Sequence, residues 1–263
     1  MKQKLIYGFY ACLIALFFIS YKISYSFFSD TSSSTANVFS AATTFPTPTP
    51  TGVELIVSSP TPTPTPSTSP TSAPVANHIV ISEVQITGGT LNTTDDFIEL
   101  YNPTSASISL NGLRLVKRSG SSTLDTDIEV FTSSDSIASH GYYLWANSGY
   151  TTIAVTPDET SADGLAASNS VALINSTTSE VIDALSWNNA VQSYKEGTEF
   201  SPDPGAGQSM ERKARSSPTA TTMAILGTDE TKGNGYDAGD NSTDFVLRLV
   251  SQPQNSTSGT ETP

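Results

Sequence analysis

The residues that could carry out chemistry are few in this chain. Its two histidines, His78 and His140, have no hydrolytic or metal-binding partners at a recognisable spacing, and HExxH, GxSxG and zinc-ligand motifs are absent. The only cysteine, Cys12, lies in an apolar amino-terminal run, so the rest of the chain has no disulfide and no thiolate ligand. Phosphate-binding glycine loops are also absent. We therefore predict no catalytic residue, no cofactor site and no cofactor, and interpret both histidines as surface residues.

Two glutamates, Glu83 and Glu99, lie inside apolar segments that have the pattern of strands. A charge in such a place must be exposed at an edge or paired, for example with Arg114. Carboxylates on neighbouring strands could also carry out glycoside hydrolysis. No sugar platform accompanies them, because the nearby Phe97 and Tyr101 are typical of strand packing. We interpret both glutamates as structural and keep a hydrolase as the alternative.

The strongest metal candidate is an acidic loop near the end of the chain. Oxygen ligands crowded into one loop suit Ca²⁺, which takes six to eight oxygens. The loop departs from the EF-hand pattern and lacks its bidentate glutamate, and aspartate and asparagine are also common in turns. We assign no metal ligand, and Ca²⁺ binding stays an open alternative. The loop residues are Asp237, Asp240, Asn241 and Asp244.

Charge limits the class of partner. The formal net charge is −13, and residues 1–76 contain three lysines and two acidic residues, which leaves nine basic and 23 acidic residues beyond them. The later part of the chain therefore carries about −14 and repels nucleic-acid phosphate. We expect a protein or a surface glycan as partner and no nucleic acid.

The amino terminus has the pattern of an export signal. Residues 5–21 carry no charge and follow Lys2 and Lys4, so the positive-inside rule predicts that everything downstream is exported. Small residues at Ser24 and Ser26 favour cleavage after Ser26, whereas the length of the run approaches the ~20 residues of a membrane span. Residues 1–26 are thus a signal peptide or a transmembrane anchor, and we expect membrane contact only there.

Residues 27–76 form a Ser/Thr/Pro-rich linker that we predict to be disordered. Alternating prolines remove backbone donors and fix φ, so the chain should be extended, at ~3.1 Å per residue. This stalk could hold a domain away from a membrane. A short apolar insert, Val53–Val57, interrupts the repeats and is interpreted as a sticky patch or as a strand that adds to a sheet edge.

Beyond the linker, short runs with a period of two alternate with turn residues, and no window shows a helical or heptad period. This pattern predicts an all-β sandwich. We place one domain at 77–252, with a core at about 77–190, a surface excursion at about 188–240 and a returning strand at 244–250. Residues 253–263 are predicted to be a disordered tail.

Several phrases in this region resemble the lamin-tail domain of nuclear lamins and many bacterial extracytoplasmic proteins. They are ISEV, DDFIELYNPTSASISLNGLRL, GYYLWANSGY, SVALINSTTSEVIDALSW, GQSMERK and DNSTDFVLR, in that order. The resemblance implies an immunoglobulin-like β-sandwich. The absence of a heptad run excludes the coiled-coil rod of lamins. A shorter phrase, FFSDTSSSTANVFSAAT, is similar to the export region of Gram-positive fibre-forming surface proteins.

Together these patterns favour a non-catalytic binding or structural module. We expect it to be extracytoplasmic, either anchored at the cell surface or secreted, and tethered through the amino-terminal segment and the Thr/Pro stalk. The alternatives are a secreted hydrolase that uses strand carboxylates and a fibre-forming surface protein.

Overall fold

The computed structural model describes residues 74–188 and 194–263. The membrane-directing segment predicted at 1–26, nearly all of the linker and its Val53–Val57 insert lie outside these ranges. Within the two described ranges, no helix has the length and apolar character that a membrane crossing requires.

The described chain is built of β-strands with one short helix. In chain order they are β1 (Val80–Gln85), β2 (Phe97–Tyr101), β3 (Ile108–Ser109), β4 (Leu113–Ser119), β5 (Thr126–Val130), β6 (Ser136–Ile137), β7 (Tyr142–Asn147), β8 (Glu159–Ser161), β9 (Asn169–Asn175), β10 (Val181–Ser186), β11 (Ser209–Arg212), α1 (Asn241–Asp244) and β12 (Phe245–Arg248).

Two large sheets face each other. One has the strand order β12-β11-β1-β2-β7-β8, the other has the order β10-β9-β4-β5, and β3 pairs with β6 in a small separate ribbon. Neighbouring strands are antiparallel except for β7 and β8. Apolar side chains from the inner faces of both large sheets form one core. The predicted all-β, immunoglobulin-like sandwich is confirmed.

Strand β2 shows how the sequence produces this core. Its alternate residues Ile98 and Leu100 point inward and are buried in the inter-sheet core. Phe97, Glu99 and Tyr101 therefore point to the opposite, outer face of the six-stranded sheet. That face is covered as well, because every residue of β2 is buried.

Strand β1 departs from a strict period of two. Strict alternation from Ile79 to Ile86 would divide the apolar residues between two faces. The ladder with β2 instead shifts between Ile81 and Glu83, and an extra residue of this kind changes which face the following residues occupy. Residues on both sides of the bulge consequently reach the same core: Ile79, Ile81, Val84 and Ile86.

The surface excursion predicted at about 188–240 contains a sheet strand. Strand β11 pairs with β1 on one side and with β12 on the other. Its sequence, SMER, has one apolar residue, Met210, and so carries little hydrophobic signal. The returning strand predicted at 244–250 corresponds to β12.

A buried ion pair joins the two sheets at one end of the core. Arg212 of β11 donates to both carboxylate oxygens of Asp183 of β10 at 2.8 Å, and both side chains have 0% exposure. Asp183 also accepts from the backbone N–H of Ile81 at 2.5 Å, and Arg212 Nε donates to the Ile81 carbonyl at 2.8 Å. These bonds offset the cost of removing two charges from water.

Candidate functional site

Glu83 and Glu99 lie directly opposite each other on the outer face of the six-stranded sheet. They are paired residues in the β1–β2 ladder, and each is 1% exposed. The bulge in β1 is what turns Glu83 to this face. The structure therefore brings together the two carboxyl groups that sequence reasoning singled out, but neither is at an exposed edge. Arg114, the suggested partner, belongs to the other sheet and pairs with Asp127 at 2.5 Å.

The carboxyl-terminal segment covers this pair. The backbone N–H of Gln252 donates to the two carboxylate oxygens of Glu83 at 3.2 and 3.3 Å. The backbone N–H of Gln254 donates to Glu99 at 2.5 Å. From the sheet itself, Ser82 Oγ donates to Glu99 at 2.5 Å, and Ser209 Oγ donates to Glu83. Each carboxyl group thus has one partner in the sheet and one in the covering segment.

The rest of the segment is bound along its length. Asn255 Nδ2 donates to the carbonyl of Thr156 at 2.8 Å, and the N–H of Ser256 donates to Asp158 at 3.0 Å. Further on, the N–H of Glu261 donates to the carbonyl of His140 at 2.9 Å. The prediction of a disordered tail at 253–263 is thereby corrected. Its polar composition, which suggested disorder, supplies the hydrogen bonds that hold it on the sheet.

Burial raises the pKa of both glutamates of the acid pair. Loss of water around Glu83 raises its pKa from 4.5 to about 7, although the hydrogen bonds from Ser209 and Gln252 and the charge of Arg248 oppose the shift. Burial, followed by the charge of Glu83, raises the pKa of Glu99 well above its usual value. The pair therefore retains protons at a pH where exposed glutamates have lost theirs.

The aromatic residues next to Glu99 pack against neighbouring strands. Phe97 lies in a small cluster with Leu144 and Ala146. The rings of Tyr101 and Tyr142 are 4.9 Å apart between centroids, and Tyr142 Oη donates to Glu261 at 2.8 Å. Their phenol groups therefore help to hold the carboxyl-terminal segment.

The acidic loop near α1 is arranged mainly by internal hydrogen bonds. Asp240 caps α1 by accepting from the N–H of Ser242. Asn241 is fully buried and donates to the carbonyl of Ala184 at 2.8 Å. Asp244 accepts from the backbone N–H groups of Ala238 and Asp240 at 3.1 Å. Three of the four residues of this loop, Asp240, Asn241 and Asp244, are thus engaged in shaping the chain.

The carboxylates that do come together are those of Glu196, Asp237 and Asp244, which can each place one oxygen within 4.8 Å of the others. Glu196 precedes the loop in sequence and was missed for that reason. Burial, and then the charge of Asp183, raise the pKa of Glu196 to about 8. Arg212 Nη1 lies 3.9 Å from Asp244 and already supplies a positive charge here. Three oxygens could hold a cation but are fewer than Ca²⁺ takes.

The two histidines occupy different settings. His78 is partly exposed and lies 3.7 Å from Asp237, between Nε2 and a carboxylate oxygen. His140 sits at a positive φ of 55° in a turn, and its backbone carbonyl accepts from the carboxyl-terminal segment. Neither lies in a hydrolytic triad among the described residues.

The fold and this site define an immunoglobulin-like sandwich whose outer acid pair is closed by its own carboxyl-terminal segment. Residues 72–189 match the family model of the Lamin Tail Domain, and this matched region contains β1 to β10. Strands β11 and β12, helix α1 and the covering segment lie beyond the matched region.

Among solved structures, the chain is similar to a DUF4876 family protein from Bacteroides thetaiotaomicron VPI-5482. The two share 12% sequence identity with a TM-score of 0.44, and the alignment covers 71% of this chain and 74% of that one. No curated protein matches the chain.

Proposed function

We propose that the chain is a non-catalytic binding module, displayed outside the cell membrane by its amino-terminal segment and Thr/Pro stalk. Lamin tail domains are in general non-enzymatic binding or structural modules, and the match over 72–189 supports this class for the chain. The match does not address three further elements of the proposal. These are binding at an exposed surface, display of the domain outside the cell and the role of the Thr/Pro stalk.

The main support for a non-catalytic module is that the carboxyl-terminal segment covers Glu83 and Glu99. A general acid or base must come within hydrogen-bond reach of a substrate. Glu83 and Glu99 are 1% exposed, and their accepting positions are filled by Ser209, Ser82 and the carboxyl-terminal backbone. In this arrangement the pair stabilises the covering segment.

Display is supported by the order of the segments in the sequence. Lys2 and Lys4 precede the uncharged run 5–21, which predicts export of all that follows. A proline-rich linker of residues 27–76 then separates the run from the sandwich, and such sequences act as stiff spacers.

Protease treatment of intact cells tests whether the domain is displayed outside the cell. A protease that cannot enter cells should remove the domain from cells that produce the full chain, while a cytoplasmic marker protein survives. Full protection of the chain, together with digestion after lysis, would refute display. Mass spectrometry of the mature amino terminus would separately decide between a cleaved signal and a retained anchor.

A hydrolase is the second candidate, because Glu83 and Glu99 do lie opposite each other on neighbouring strands. Hydrolysis at this pair would require the carboxyl-terminal segment to move away from both carboxyl groups. We expect the full chain to show no turnover of glycan or peptide substrates. Turnover that is lost in Glu99→Gln would overturn the non-catalytic assignment in favour of this candidate.

A further inference from the structure

A continuous groove runs along the carboxyl-terminal segment on the outer face of the six-stranded sheet. It consists of three adjoining cavities of about 370, 540 and 570 Å³. The first two share Ile225 and Gln252, and the last two share Val155 and Ser258. We call this feature the tail groove. Three cavities that adjoin in a row suit an extended segment better than a compact small molecule.

One end of the tail groove is apolar and open to solvent. Leu249, Val250 and Ile225 line it and are 73%, 66% and 64% exposed. Large aliphatic side chains that are exposed together mark a surface that gains free energy when a partner covers it. This end therefore suits an apolar anchor residue.

The middle of the tail groove is acidic. Glu211, Glu230 and Glu261 line the central cavity, and no lysine or arginine is among its lining residues. Arg248, at the apolar end, pairs with Glu211 and so balances one of the three carboxylates. The whole domain carries about −14 in addition. A positively charged partner would therefore be attracted to the groove and held at its centre.

We propose that the tail groove binds an extended, basic segment of a partner protein, with an apolar anchor at the Leu249 end and lysine or arginine at the central carboxylates. This inference rests on the proposed binding function and names the class of partner. Charge complementarity favours a basic peptide over an anionic polymer. A neutral glycan fits less well, because the described residues that line the three cavities include no aromatic ring on which a sugar could stack.

The test uses the full chain and a labelled peptide in which a Leu-Val pair precedes a run of lysines. Fluorescence anisotropy should show saturable binding that weakens with added salt. A peptide with glutamate in place of lysine, and an N-acetylglucosamine oligomer, should not bind. Binding of the glycan alone would replace the basic peptide with a sugar as ligand, and binding of neither would overturn the groove assignment.

Two groove variants and one matched control locate the site. Glu230→Lys reverses a central charge and Leu249→Asp removes the anchor surface; we expect each to raise the Kd by about tenfold or more. Glu180→Lys makes the same charge change at an exposed turn on the other sheet and should alter the Kd by less than about twofold. Equal weakening by both lysine variants would show non-specific attraction and refute the site. Leu249 is 73% exposed, so its substitution should leave folding intact.

These outcomes are separable from failure of the proposed function. If display and the absence of turnover hold while the peptide does not bind, only the groove assignment fails. If turnover is found and depends on Glu99, the binding function itself fails, whatever the groove variants do.

Discussion

Glu83→Gln should remove a defined part of the pH dependence of stability. Burial raises the pKa of Glu83 from 4.5 to about 7, so the native state keeps a proton that the unfolded chain loses. The stability that this group contributes is fully present below pH 4.5 and is lost as the pH rises through about 7. Since a tenfold change in proton affinity is ~1.4 kcal/mol, the loss is about 3 kcal/mol.

The assay is denaturant unfolding of the full chain at about pH 5 and about pH 8, an interval that contains most of this linkage. Because part of the contribution of Glu83 is already lost at about pH 5, wild type should lose about 2.5 kcal/mol more stability between the two conditions than Glu83→Gln does. The pKa values of Asp96 and Glu196 are also raised, to about 7 and about 8, so some pH dependence remains in the variant. The difference between the two proteins cancels the contributions of groups that do not interact with Glu83.

A second effect adds to the first in the same direction. The charge of Glu83 is, after burial, the next cause that raises the pKa of Glu99. Its removal therefore relieves part of that shift as well. Glu180→Gln, at an exposed turn, is the control and should keep the wild-type pH dependence. If Glu83→Gln also keeps it, Glu83 is solvated and the carboxyl-terminal segment does not cover it.

Three further substitutions and one control test the packing, each by thermal or denaturant unfolding of the full chain. Leu100→Ala should cost ~2–5 kcal/mol, because Leu100 is buried between the sheets; an unchanged midpoint would mean that β2 is misplaced. Gly233→Ala should cost ~1–3 kcal/mol, since an added methyl group would collide with Tyr101 Oη and the Glu261 carbonyl. Gly259→Ala, with no atom within 4 Å of the added carbon, should be neutral. Arg212→Ala should cost ~3–5 kcal/mol by leaving Asp183 charged and unpaired; a loss below ~1 kcal/mol, the value of an exposed ion pair, would place the pair in water.

The sandwich was predictable because its main strands carry a strong local signal. The alternation of Ile98 and Leu100 with their neighbours identifies β2 from the sequence, and lamin-tail phrases cover the same region. Strand β11 carries no such signal, since Met210 is its one apolar residue. Its Arg212 is buried because Asp183 lies opposite in space, and a sequence does not reveal that distant partner.

The candidate site was predictable in its residues and not in its environment. Glu83 and Glu99 were singled out because carboxylates in apolar strands need an explanation. Their burial depends on Gln252 and Gln254, whose backbone N–H groups carry no residue-specific signal. Asp237 and Asp244 were likewise identified in the acidic loop, whereas Glu196 joins them only through the fold.

Hydrogen exchange of the carboxyl-terminal amides tests the central claim most directly. The claim is that residues 251–263 close the acid pair and form one wall of the tail groove. In the full chain at near-neutral pH, the amides of Gln252 and Gln254 should be protected together with those of β1 and β2, because they are bonded to Glu83 and Glu99. Exchange of both amides at the rate of an unstructured peptide, while β1 and β2 remain protected, would contradict the claim.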